Sequence, residues 1–194
     1  MNRVARCFLL VIAIPVLAQL SGCAAAILGA GVGAGVASND QRSTGAFIND
    51  ELIEIEFVRQ FGLEPADLWD RSHVNATSID HIVLLTGETA NDAYKARIAQ
   101  LAANIADVRG VHNELVIAPP SSLQARWNDT LITGKVKSAM LDSTQVDSTR
   151  VKVVTERAVV YLMGVVSSEN ADGATDVARR IEGVERVVRL FEVK

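Results

Sequence analysis

Few side chains in this sequence have the type and spacing to do chemistry. The chain of 194 residues has two cysteines, Cys7 and Cys23, and three histidines, His73, His81 and His112. From Asp40 onward there is no thiol, so that region can form no disulfide, no thiolate zinc site and no cysteine nucleophile. The histidines show neither HxxxH nor HExxH spacing, and they flank strands or follow a helix, which reads as solvated turn residues rather than a metal set. Glu51, Glu54 and Glu56 could suggest paired catalytic carboxylates. They fall at a predicted helix start, however, where acids favour the macrodipole, and a solvated face is the default. Ser21 and the Ser-Ser pairs have no base at recognisable spacing. The pattern points away from an enzyme and leaves Cys23 as the side chain whose setting calls for a reaction.

That setting is a leader. Arg3 and Arg6 precede an apolar run from Phe8 to Leu20, interrupted by Pro15 and Gln19 and too short to cross a hydrocarbon core of roughly 30 Å. Leu20-Ser21-Gly22-Cys23 follows, and this tetrapeptide resembles the bacterial lipobox, Leu-(Ala/Ser)-(Gly/Ala)-Cys. The resemblance implies that the Cys23 thiol receives a diacylglycerol, that the chain is cut before it, and that the new amino group is acylated. A nucleophilic thiol is required, with small residues ahead of it so that extended backbone fits the peptidase. Residues 1–22 are therefore expected to be a lipoprotein signal peptide, and residues 23–46 a lipidated Gly/Ala-rich tether. An uncleaved membrane helix running through Ala37 would have to absorb Gly29, Gly31, Gly33 and Gly35, each costing about 1 kcal/mol against Ala. A nucleotide loop lacks the G-x-G-x-x-G spacing and its flanking strand and helix. Ala24, rather than Asp, after the cysteine implies by the sorting rules of such lipoproteins a place in the outer membrane, facing the periplasm. Apart from this covalent lipid no cofactor is expected.

The remainder is a repeat. Pro119-Pro120-Ser121-Ser122 separates two similar halves. VNATSIDHIVLLTGET aligns with VKVVTERAVVYLMGVV, placing Gly87 on Gly164; further on, Gly110-Val111 aligns with Gly183-Val184. Each half reads as helix, strand, strand, helix, strand. In the first, Asn49 or Asp50 is expected to cap a helix bearing Ile53, Phe57 and Phe61; a hairpin spans residues 74–79 and 82–86; a helix spans 90–108 and is capped by Gly110; and a last strand covers 113–117. The second repeats this with Ile132, Val136 and Met140 on its first helix, strands over 151–155 and 158–163, a helix over 171–181 and a strand over 186–193. The strand–helix–strand step demands a right-handed crossover and a mixed three-stranded sheet with two helices on one face. The fold class is α+β, with domains at 47–118 and 125–194 joined by a linker over 119–124.

Two αββαβ units, each with a hairpin ending apolar-x-apolar-x-Gly and a helix followed by Gly-Val, resemble the BON domain. Lipobox, tether and tandem pair together are similar to the dual BON-domain lipoproteins of the Gram-negative outer membrane. The most specific parts are residues 128–138, NDTLITGKVKS, and Tyr161-Leu162-Met163-Gly164. The stretch Leu63 to Asp70 departs most, and its Trp69 is expected to cover a core edge. The resemblance implies binding of anionic phospholipid, support of envelope integrity, enrichment at division sites and links to envelope-assembly proteins.

Charge separates the halves. Residues 47–118 carry five Lys/Arg against twelve Asp/Glu, a balance of −7, and residues 121–194 carry eleven against ten, a balance of +1. With no Lys/Arg block and a net charge of −4, the chain is not a nucleic-acid binder. Only the second half can approach an anionic surface without strong repulsion. On its first helix, Ile132, Val136, Ala139 and Met140 must face the sheet. Trp127, Leu131 and Leu141 fall opposite, with Gly134 and Ser138 between them and Lys135 and Lys137 flanking. A second apolar face carrying Trp beside lysines suits a bilayer of phosphatidylglycerol or cardiolipin, because Trp prefers the interface and Lys can snorkel to phosphates. Two other uses of that face stay open: packing against the first domain, or a protein partner. An adaptor that holds a basic periplasmic partner through the acidic first domain is the competing function. The strands' outer faces, Ile82 and Leu84 in one domain and Val159, Tyr161 and Met163 in the other, are expected to dock together, since units this small are marginal alone.

Overall fold

The computed structural model describes residues 44–194, with side chains from Ile48 onward; the expected signal peptide, the expected lipidation site at Cys23 and the expected tether up to residue 43 lie outside the described residues. The first domain contains α1 (Thr44–Phe61), α2 (Ala66–Asp70), β1 (His73–Ile79), β2 (Ile82–Thr89), α3 (Asp92–Ala103), β3 (Gly110–Asn113) and β4 (Val116–Ile117). The second contains α4 (Leu123–Asp142), a short 3-10 turn (Ser148–Arg150), β5 (Lys152–Glu156), β6 (Val159–Val166), α5 (Ser168–Ala178) and β7 (Arg186–Val193). No described helix is long and apolar enough to cross a membrane.

Both sheets have the expected order. β2 lies between antiparallel β1 and parallel β3, and its end also pairs with β4; β6 lies likewise between antiparallel β5 and parallel β7. Alternation along the central strands assigns their faces. Val83 and Leu85 of β2 join Ile53, Phe57 and Ile98 in one helix-side core, and Val160 and Leu162 of β6 join Ile132, Val136 and Met140 in another. The opposite faces meet each other: Ile79 and Leu84 pack with Tyr161 and Met163, ringed by Ile82, Val154, Val159, Val188 and Leu190. The body is thus four layers, helices–sheet–sheet–helices, with α1 and α4 on opposite outer layers. Polar links close the rim, including Lys152 Nζ to Glu54 Oε1 at 2.8 Å and to the Ser78 carbonyl at 3.0 Å, and Arg109 to Glu192 at 3.1 Å.

A buried aspartate ties each first helix to its hairpin. Asp50 Oδ1 accepts from Ser78 Oγ at 2.7 Å and from the His81 amide at 2.9 Å, while its Oδ2 accepts from the Asp80 amide at 2.8 Å. Asp129 accepts from the Arg157 and Ala158 amides, both at 2.9 Å. These are the turn residues with positive φ, Asp80 and His81 in one hairpin and Arg157 and Ala158 in the other, the signature of a type I′ connection. Asp50 is therefore not the cap of its own helix, which starts at Thr44; it caps a turn distant in sequence.

Several elements differ from the sequence expectation. α3 stops at Ala103 rather than Val108, although Ile105 still reaches the core from the following turn. Gly110 opens β3 instead of capping a helix, and the left-handed residue here is Asp107 at φ 67°. In the second domain Gly183 does take positive φ, 95°, but five residues beyond the end of α5. Trp69 is 54% exposed; its neighbour Leu68 fills the core. Glu54 is not simply solvated, because it receives both the Ser78 amide and Lys152.

Candidate functional site

α4 begins where the Ser122 side chain accepts from the Ala125 amide at 3.2 Å, directly after the proline break. Asp129, Ile132, Val136 and Met140 are its buried positions. Turned away from them, Trp127 is 62% exposed, Leu131 49% and Leu141 71%. Gly134 lies between them, where an added Cβ would meet nothing within 4 Å, and Lys135, Lys137 and Ser138 are exposed on the same outer side. The seven sequence-derived face residues thus share one open surface, and none is sealed beneath the first domain. Leu123, 81% exposed, extends the stripe by one turn. Sequence reasoning placed it in the linker; the signal for it was Ser122, a capping residue at the right distance.

α1 carries a matching surface that the sequence reading missed. Its buried Asp50 corresponds to Asp129 of α4, an offset of 79 that also places Ile53 on Ile132, Phe57 on Val136 and Phe61 on Met140. The same offset places Ile48 on Trp127 and Leu52 on Leu131. Ile48, Leu52, Ile55 and Val58 are 51%, 56%, 61% and 68% exposed. The flanks differ, for Glu56 stands where Lys135 does and Val58 where Lys137 does. Salt-bridged to Arg59 and bonded by Gln60, the Glu56 carboxyl is held down to about 2.

A polar cleft runs between α4, β5 and β1, lined by His73, Asn75, Arg126, Asp129, Thr130 and Glu156 among others. Burial pushes the Glu156 carboxyl up to about 7, and the nearby Glu88 and Asp129 push the same way against Arg126 and the hydrogen bond from Asn75. Fully buried Glu88 accepts from Arg157 at 3.3 Å and from the Ser121 amide in the linker at 3.1 Å. His73, half-buried here, is pushed down by burial and by Arg126, so it is not a freely solvated turn residue. His112 is exposed, and His81 Nδ1 lies 3.0 Å from the Asp107 carbonyl. Among the described residues no three His, Cys, Asp or Glu side chains converge on a metal-sized site.

Comparison with known proteins agrees with this architecture. The sequence matches the BON domain family twice, over residues 50–119 and 128–194. It is 36% identical to "Outer membrane lipoprotein DolP" of Haemophilus influenzae over 173 residues, 89% of each chain. It is 32% identical to "21 kDa hemolysin" of Actinobacillus pleuropneumoniae, covering 78% of each chain. It is 26% identical to "Osmotically-inducible protein Y" of Escherichia coli, covering 80% of this chain and 78% of the relative. With two matched copies spanning most of its length, and with the strand order and paired cores that the repeat demanded, this chain belongs to the BON-domain family as a tandem-domain member.

Proposed function

We propose that this chain is a non-catalytic, lipid-anchored protein of the outer membrane that faces the periplasm and lays the outer side of α4 on anionic phospholipid, supporting envelope integrity. The observation that carries the reading is the exposure of Trp127 and Leu131 on a helix whose core face is already occupied. An indole, a leucine and two lysines on one surface match the chemistry of a bilayer interface, where the ring sits at head-group depth and ammonium groups reach phosphates. The name of the Haemophilus relative supports Cys23 as the anchor and the outer membrane as its destination. Burying Trp127 and Leu131 contributes about 3–5 kcal/mol. Acyl chains on Cys23 contribute about 0.8 kcal/mol for each buried methylene, so the anchor sets which membrane holds the protein and α4 sets how the body lies on it.

Co-sedimentation of residues 41–194 with phosphatidylglycerol or cardiolipin vesicles tests the face. Trp127→Glu and Leu131→Glu are each expected to weaken adsorption by tenfold or more with an unchanged circular dichroism spectrum, and full adsorption by both would overturn the reading. Cys23→Ala is expected to leave the chain unprocessed or soluble; normal fractionation with the outer membrane would contradict the anchor.

The stripe Ile48–Leu52–Ile55 on an acidic domain favours a second role, that of an adaptor for a basic periplasmic protein on the side away from α4. The double variant Leu52→Glu, Ile55→Glu should adsorb to vesicles as the parent does. Loss of adsorption would make α1 the lipid face instead.

A further inference from the structure

Beside the α4 face the surface sinks into a groove of about 250 Å³, lined by Lys137, Met140, Leu141, Ser148, Val151 and Val153. Its floor is apolar and buried: Met140, Val151 and Val153 are 1%, 9% and 4% exposed. Its rim is shared with the docking stripe, since Leu141 and Lys137 belong to both. The first domain puts more bulk at the equivalent positions. There the residues 79 positions earlier are Val58, Phe61 and Gly62; Phe61 stacks on Phe57 with ring centroids 5.8 Å apart, and Leu68 of α2 joins the same core. The second domain has Met140 for the ring and a three-residue 3-10 turn bearing Ser148 in place of α2. Its groove stays open.

We propose that this groove takes part of one acyl chain of an anionic phospholipid, with Lys137 beside the phosphate, so that the domain holds individual lipid molecules as well as lying on the bilayer. The proposal rests on α4 being the lipid face. The volume falls short of the ~300–1,000 Å³ usual for a whole drug-sized ligand, which limits the occupant to a piece of a chain. An apolar floor has no hydrogen bonds to give a polar guest, and it loses nothing when methylenes replace water there. One cation and no carboxylate line it, which selects a negative head group. A chain entering from the bilayer need only bend past Leu141, itself part of the docking stripe.

The test uses residues 41–194, one compact unit with its own cores, and monomeric alkyl phosphates from hexyl to dodecyl below their micelle concentrations. Inorganic phosphate serves as the control and is expected not to bind. Affinity should tighten by about fourfold for each methylene until the groove is full, then level off. Ser148→Phe, which places a ring in the groove, should weaken decyl phosphate binding by at least tenfold while leaving vesicle adsorption intact; Trp127→Glu should do the reverse. A flat chain-length series, or Ser148→Phe binding as the parent does, overturns the proposal. If that variant loses its fold, the chain-length series with Lys137→Gln decides alone, a loss of at least threefold being expected and no change counting against it. A parent protein that binds decyl phosphate but ignores vesicles would sink the docking face and leave the groove standing.

Discussion

Asn75 on β1 donates through Nδ2 to Glu156 Oε2 on β5 at 3.0 Å, joining one domain to the other through a carboxyl that burial pushes up to about 7. Around it stand Glu88 and Asp129, both buried, with Arg126 and His73 facing the same cleft. Ionising Glu156 adds a further negative charge beside Glu88 and Asp129, across the seam that holds the domains together.

Stability should therefore depend on pH with a definite sign. Glu156 rises from the ordinary 4.5 to about 7 on folding, so the native state binds the extra proton between those values. Its contribution is full below about pH 4.5, falls as pH rises through the interval, and is gone above about pH 7. The loss is at most about 3 kcal/mol. Chemical denaturation of the parent and Glu156→Gln from pH 4 to 8 should give curves that diverge, the variant losing less as pH rises. Parallel curves would rule the residue out. His73 acts in the opposite direction, its lowered pKa favouring the fold above the ordinary imidazole range, and both proteins share that component.

Asp129→Ala should cost about 2–4 kcal/mol, since it leaves the Arg157 and Ala158 amides of a tight hairpin without their acceptor. Asp50→Ala should cost as much in the first domain. Asn at either site should recover part of the loss by keeping one acceptor oxygen, which urea titration of the four variants would show.

Gly87→Ala and Gly164→Ala should each destabilise by about 3 kcal/mol or more. The added Cβ would lie 2.0 Å from the His73 carbonyl oxygen in one case and 2.1 Å from that of Arg150 in the other, at φ of 114° and 150°. Failure of either variant to express as soluble protein is the coarse readout; a depressed melting temperature is the fine one.

Gly134 offers a gain. Nothing lies within 4 Å of its missing Cβ, so Gly134→Ala should stabilise α4 by about 1 kcal/mol. Gly134→Leu should also strengthen adsorption to anionic vesicles severalfold, because it fills the gap in the stripe between Leu131 and Leu141. A leucine that stabilises without improving adsorption would show that this surface does not meet lipid.

The repeat made the sheets and helices legible. Gly87 and Gly164 recur at a fixed spacing because each passes close to neighbouring backbone, at His73 in one domain and Arg150 in the other, and the alternating residues around them announce two-faced central strands. The pairing of outer faces was also readable, since Leu84, Tyr161 and Met163 had no helix left to cover them. Asp50 hid its role because an acid near a helix start looks like a cap, whereas its partners are thirty residues away. The α1 stripe was hidden too: glutamates interleaved among Ile48, Leu52 and Ile55 masked an apolar line that only the helix axis reveals. Nor could Glu156 have been singled out, because its surroundings come from three separate strands and a helix.

The seam between the sheets has a practical consequence for the connecting segment at Pro119 and Pro120, both exposed. Because the halves are glued by a greasy layer and not merely strung together, a protease that nicks this segment should yield two peptides on a denaturing gel and one particle on a sizing column. Separately expressed halves, mixed in equal amounts, should find each other and rebuild that particle.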